Sequence, residues 1–332
     1  MARTCGQIAR ATANWVHHRR MVMRLNPLYP LVWRTPDTIQ LGIDSPVVVV
    51  PHVTAALEKV IAALRAGVPR EGAVMLGRQA GASDDDISAL LSVLRPALIT
   101  TTQSMFLATS EATSEATSET APATATAPAP AGARPSTVCV DGHGPTADRI
   151  RALLGDLGIP VQETEADPGL AVVIGHYALE PGRHGHWLRR DIPHLPVVFS
   201  DSEVRVGPLI EPGIGPCLYC LELTHIDQDP AWPAIACQLL AREAQTETTR
   251  ISIDLAARVA GLVQDRLSSG RSELSATSLV IDARTGMVRR RAHRPHERCG
   301  CRSLPENVIA LAESAAAGQT PPSSARAVGA PA

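Results

Sequence analysis

Cysteine is the residue with the most chemistry to offer here. Cys217-Leu218-Tyr219-Cys220 follows Pro212-Gly213-Ile214-Gly215-Pro216, a turn-rich run able to fold a knuckle, and Cys299-Gly300-Cys301 stands some eighty residues later. Two thiol pairs provide four thiolates, which suit tetrahedral zinc with no coordination position left open. Such a closed four-sulfur site is structural, because nothing remains to activate water. Gly300 is expected to allow the sharp bend of the short Cys-x-Cys half. A redox dithiol at Cys217 and Cys220 is the competing chemistry. It leaves the second pair without a purpose, and the residues before it do not read as the strand-to-helix start of a thioredoxin-like motif. Unliganded cysteines remain the bland alternative, and His225 or His296 offers a replacement for one sulfur. Cys5 reads as a thiol in an extension, Cys139 and Cys237 as small core residues.

A second motif concerns phosphate. Gly142-x-Gly144-x-x-Ala147 lies between an apolar strand and a helix, the context in which a nucleotide phosphate rests on helix amides. Glu163 and Glu165 follow at the distance from which a carboxylate holds a ribose. Tight strand-to-helix turns need glycine in any case, so Gly142 and Gly144 are expected to be a vestigial or structural turn. His176, His184, His186 and His194 cluster in sequence with Arg183, Arg189 and Arg190, and are read as a solvated loop and helix. No nucleophile elbow and no paired-carboxylate arrangement is found, so no catalytic residue is assigned.

The chain of 332 residues fits two domains with linkers and tails, and its 45% apolar content can build real cores. Aromatics are only 3%, so Ala, Val, Leu and Ile must fill those cores. The formal charge of −2 gives no support to nucleic-acid or membrane-surface binding, and Lys59 is the one lysine among 31 basic residues. No run reaches the roughly 18 apolar residues of a membrane span. Seven cysteines do not make a secreted disulfide framework, and the protein is expected in the cytoplasm.

Composition divides the chain. Residues 1–23, basic and without acids, are expected to be a disordered extension, with Met21 or Met23 as alternative start positions. Residues 24–102 are expected to form a domain. Leu31-Val32-Trp33 and Thr38–Ile43 flank a Pro36-Asp37 turn as a hairpin, and Val47–Val50 is a candidate third strand. Thr54 caps a helix with Leu57, Val60, Ile61 and Leu64 on one face, ended by Gly67. A weaker helix is expected over 70–80. Ser83 opens another, with Ile87, Leu90, Leu91 and Leu94 inward and Pro96 as its stop. A hairpin with three short helices is the content of a winged helix. Residues 103–136, a Thr/Ser/Ala/Pro run, lack the apolar side chains to offset ordering entropy and are a linker. Strands and helices then alternate over 137–305, implying an α/β domain with a mostly parallel sheet. Its expected elements are strands at 137–141, near 161, and at 170–174, 195–199 and 278–282, with helices over 146–155 and along Leu255–Leu267. Residues 306–332 are a tail.

Taken together, Gly207-Pro208-Leu209-Ile210-Glu211-Pro212-Gly213, Cys217-Leu218-Tyr219-Cys220, Asp229-Pro230-Ala231-Trp232-Pro233 and Cys299-Gly300-Cys301 resemble a known domain. It is the ThiF-like (ubiquitin-activating-enzyme-like) domain of cyclodehydratase partner proteins from thiazole/oxazole-modified microcin (TOMM, bacteriocin) biosynthesis. Residues 24–98 are similar to the winged-helix element by which those proteins recognise precursor peptides. The resemblance implies a first domain that clamps a leader peptide, and a second that dimerises, carries zinc and serves a YcaO-type cyclodehydratase, which uses the ATP. It also implies strand addition of the leader at Thr38, Ile39, Leu41 and Ile43, with Ile87 and Leu91 lining the groove.

Adenylating members of the wider superfamily hold phosphates with a lysine and magnesium with an aspartate. Here the second domain has no lysine, and Leu170–Ile174 runs into Gly175-His176 where that aspartate is expected. Phosphoryl chemistry rests on positioned cations, so ATP use by this chain is not expected. Two alternatives stay open: an adenylating enzyme acting on a peptide or protein carboxyl terminus, and a winged-helix DNA-binding regulator. The second is disfavoured by six Lys/Arg against seven Asp/Glu over residues 31–100.

Overall fold

The computed structural model describes residues 21–102, 137–164 and 166–302. The extension through residue 20, the linker and the C-terminal tail lie outside the described residues. Contacts divide the described chain into two compact units, one of residues 21–29 and 47–102, the other of residues 30–46 and 137–302.

In the first unit Met21–Leu25 is the middle of a three-stranded antiparallel sheet, between Val68–Pro69 and Leu98–Thr102. The strand thus begins inside the stretch expected to be an extension. Helices Ala55–Ala66, Arg70–Gln79 and Asp84–Leu94 surround it. Thr54 and Ser83 cap the outer two, each accepting a backbone N–H in its helix's first turn. The expected stripes are buried, including Leu57, Val60, Ile61 and Leu64 in one helix and Ile87, Leu90, Leu91 and Leu94 in another.

Residues 30–46, expected to belong with the first domain, pack on the second unit. Leu31–Thr35 and Thr38–Leu41 form the foreseen hairpin. It lies against the helix Trp232–Leu239, where Trp33 N–H donates to Gln238 at 2.8 Å and Trp33 C=O accepts from Gln238 at 2.7 Å. Arg34 grips Asp229 through two hydrogen bonds of 2.8 and 2.7 Å, and Arg242 donates to Leu31 C=O. Beyond the hairpin, Asp201 accepts from the amides of Ile43 and Asp44, while Asp44 accepts from those of Ser202 and Glu203. Periodicity reveals a hairpin but not what it docks against, and these polar contacts decide that.

The second unit is a mixed α/β layer structure around a seven-stranded sheet. In spatial order its strands are Val288–Ala292, Thr277–Asp282, Glu203–Val206, His194–Phe199, Leu170–His176, Val138–Asp141 and Val161–Gln162. Pairings from His194–Phe199 to Val161–Gln162 are parallel, and those on the other side are antiparallel. The sheet is therefore half parallel rather than mostly so. Glu203–Val206 and Val288–Ala292 are not among the expected strands: one is only four residues long and the other is a largely exposed run of arginines. One face is covered by helices Pro145–Asp156 and Thr249–Ser269, with Ile150, Leu154, Leu255 and Val259 in its core. The other carries Pro181–Arg189 and Leu218–Gln228, packed around Trp187, Val198, Ile210 and Leu221. Among the described residues no helix is long and apolar enough to cross a membrane.

Candidate metal centre

The knuckle begins where the chain leaves the sheet. Glu211 C=O accepts from Ile214 N–H at 2.9 Å, and Gly213 and Gly215 adopt φ of 79° and 70°, conformations that suit glycine. The run ends with Cys217 as N-cap residue of the helix Leu218–Gln228. Cys220 is one turn further on, so both thiols emerge on one side at the positive end of the helix dipole, which favours thiolate. Both are buried against Trp187, Ile210 and Leu221.

The second pair arrives on the segment after Val288–Ala292. His296 accepts from Cys299 N–H at 2.9 Å through its carbonyl, and its Nε2 lies 2.8 Å from Asp227 on the knuckle helix. Arg298 also pairs with Asp227. These tethers bring Cys299 Sγ to 3.6 Å from Cys217 Sγ, and Cys301 Sγ to 3.5 Å from Cys220 Sγ, while Cys217 and Cys220 are 3.8 Å apart. All four sulfurs lie within 4.8 Å of one another. A zinc–sulfur bond of about 2.3 Å implies sulfur–sulfur edges of about 3.8 Å in a tetrahedron. A disulfide needs about 2.05 Å, and all four thiols are free. The donor set thus fits one tetrahedral metal ion, and leaves no site for water.

Electrostatics agree. Burial pushes the Cys217 thiol up, and pushes Cys301 up to about 11. At Cys220 burial also opposes ionisation, but hydrogen bonds from the His296 and Cys217 backbones and the neighbouring thiols outweigh it and hold it below the ordinary value. Cys220 thus ionises more readily than an ordinary thiol, and four crowded thiolates require a cation. His296 is not a replacement ligand: Nε2 faces Asp227 and Nδ1 accepts from Arg298 N–H. His225 packs edge-on against Trp232. Gly300 differs from expectation. Its φ lies outside the left-handed region and a Cβ there would meet nothing within 4 Å, so the bend does not need glycine.

The glycine turn has a different filling. Gly142 lies so near Ile174 that a Cβ would come within 2.8 Å of that side chain, and Gly144 is N-cap of Pro145–Asp156. Pro145 offers no N–H there. Glu247 takes the next donor, its carboxylate accepting from Thr146 N–H at 3.0 Å. It stands where a phosphate would rest, and its charge opposes one. Asp141 at the strand end is held by Arg183 and by Trp187 Nε1 at 2.9 Å. His176 accepts from Ala244 N–H and stacks on Phe199. Glu163 is not drawn into this network, and Glu165 lies outside the described residues.

The other expected residues scatter. His184 and His194 are buried, burial driving His194 to about 4, and His186 contacts Arg190. Among the described residues, the cysteine cluster is the one group of three or more potential ligands close enough to hold an ion. Cys139 is buried as expected, whereas Cys237 is exposed because its helix turns Ile235 and Leu239 inward instead. Cys5 lies outside the described residues. Ile39, Leu41, Ile87 and Leu91 are buried, while Thr38 and Ile43 are part-exposed. Arg205 and Arg291, which line one cavity with Asp44, Glu203 and Asp229, carry no mark in the sequence, since only tertiary folding gathers them.

No protein-family model and no curated protein matches the chain. Solved structures do resemble it. A chain of the E. coli microcin synthetase McbBCD complex is 11% identical with TM-score 0.40, the match covering 83% of this chain and 99% of that one. A heterocyclase in complex with substrate and cofactor is 13% identical with TM-score 0.41; the match covers 84% of this chain but only 39% of that longer one. E. coli MccB with ATP is 12% identical with TM-score 0.38, covering 84% and 99%. At these identities and scores no residue role passes from those proteins to this chain.

Proposed function

We propose that this chain is a zinc-containing, leader-peptide-binding partner of a YcaO-type cyclodehydratase in thiazole/oxazole-modified peptide biosynthesis. It presents a precursor peptide to the enzyme that uses ATP. The convergence of Cys217, Cys220, Cys299 and Cys301 carries the reading, because it closes the cysteine motif on which the resemblance to that family rests. Zinc is the metal that four thiolates without redox work favour. Its part is structural: it ties the segment following the edge strand to the knuckle helix. The leader would bind at the hairpin Leu31–Leu41; the outer main-chain groups of Leu31 and Trp33 are held by Arg242 and Gln238, which would have to release them for strand addition. Ile39, Leu41, Ile87 and Leu91, being buried, would act by shaping backbone rather than by touching the peptide. We also propose a homodimer through the second unit and a cytoplasmic location.

Glu247 at the glycine turn and the lack of lysine in the second unit argue against the alternative of an adenylating enzyme. A pull-down of the tagged full chain from its native host tests the proposal. Recovery of a YcaO-type protein and a peptide rich in Cys, Ser and Thr, which loses water when the components are combined with ATP, is expected. ATP–pyrophosphate exchange by the isolated chain would establish the adenylating alternative, and recovery of double-stranded DNA alone would establish a regulator.

A further inference from the structure

In the strand Glu203–Val206, Val204 and Val206 enter the core and Arg205 projects to the opposite face. The pairings Arg205 with Val280 and Ser278 with Arg291 put Arg291 on that same face, two strands away. Both arginines line a cavity of about 290 Å³ within the second unit. Among the described residues neither guanidinium forms a hydrogen bond or an ion pair of 4.0 Å or less, though each has five N–H donors; the wall carboxylate Glu203 is held by Arg289 instead. His225 lines the cavity too, with a buried Nδ1 that has no hydrogen-bond partner.

The guanidinium nitrogens of Arg205 and Arg291 are not sealed from the cavity, so their donors are open to a ligand that accepts from them. The neighbouring Glu222, whose Oε2 accepts from Trp232 Nε1 at 2.7 Å, attracts Arg205 without hydrogen-bonding to it. Burial first, then Arg205 and Arg291, drive His225 to about 3 and His293 to about 4. His225 is therefore neutral and can donate from one nitrogen. Ile43, Val198, Trp232 and Ile235 supply apolar wall.

We propose that this cavity is a binding site for a small carboxylate carried on a short apolar body, with Arg205 and Arg291 as its anion clamp. Paired guanidinium donors match a carboxylate's two oxygens. The apolar wall needs a hydrocarbon partner, and the nearby Glu203, Asp44 and Asp229 repel a dianion such as phosphate more than a monoanion. The site is separate from both the cysteine cluster and the glycine turn, and stands whether or not the chain serves a cyclodehydratase.

Calorimetric titration of the zinc-loaded full chain with N-acetyl-leucine, N-acetyl-leucinamide and inorganic phosphate tests the assignment. N-acetyl-leucine is expected to bind, with the amide and phosphate each about tenfold weaker or more. Arg205→Gln and Arg291→Gln should each lower N-acetyl-leucine affinity about tenfold or more while far-UV circular dichroism stays unchanged. Arg291 sits on the edge strand, so its variant supplies the readout if Arg205→Gln fails to fold. Equal affinity for acid and amide, tighter binding of phosphate, unchanged affinity in Arg291→Gln, or no binding of N-acetyl-leucine at about 10 mM, far above a millimolar Kd, would each overturn it.

Discussion

Cys217-Leu218-Tyr219-Cys220 and Gly142-His143-Gly144 both stand where the chain enters a helix beside the sheet, and each meets a residue from far along the sequence. The cysteines meet Cys299 and Cys301, which complete a tetrahedral donor set. The glycine turn meets Glu247, which takes the helix amide that an anion would need. Local geometry suited to a ligand is present in both places. The side chain arriving from elsewhere completes one site and fills the other. A helix N-terminus that already holds a carboxylate is satisfied, whereas a thiol quartet without a cation is not.

Breaking the completed side should have the largest consequence. Cys217→Ser is expected to abolish stoichiometric zinc, seen by elemental analysis, and to lower Tm by about 10 °C, since metal binding is coupled to folding. Retention of one zinc per chain would remove the cluster from the account. The filled side is probed by Glu247→Ala, which should cost about 1 kcal/mol, or roughly 3 °C in Tm, as a lost helix cap. No change would mean that Glu247 does not satisfy the turn.

Two tests concern how the hairpin is held. Arg34→Met, measured with Asp229→Asn in a double-mutant cycle by urea denaturation, should show coupling of about 1 kcal/mol for a bidentate, part-buried pair. Asp201 gives a pH signature. Burial, reinforced by Asp44, raises its carboxyl to about 7 from 3.8, so the folded state binds the proton more tightly than the unfolded one. Its contribution is complete below about pH 4 and is lost as pH rises through about 7. Relative to Asp201→Asn, the wild type should lose stability across that window; parallel urea midpoints would refute the assignment. The smallest effect belongs to Gly300→Ala, expected within about 0.5 kcal/mol and with zinc retained, because a Cβ there has open space.

Much of this molecule is written locally. Thr54 and Ser83 capping residues, the stripes of Leu57–Leu64 and Ile87–Leu94, the apolar strands at 138–141 and 170–176, and the spacing of the thiol pairs follow from short-range sterics and periodicity. Those features could be read from the chain without its coordinates. Tertiary structure alone decided that residues 30–46 pack on the second unit, because the decision rests on Arg34 with Asp229 and Asp44 with Ser202, partners about 160 to 200 residues apart. It also decided that Glu247 reaches the glycine turn, that Cys237 faces outward, and that Arg205 and Arg291 share a cavity. A hydrogen bond or an ion pair leaves no periodic mark on the sequence, so long-range polar choices appear only once the backbone has brought both groups together.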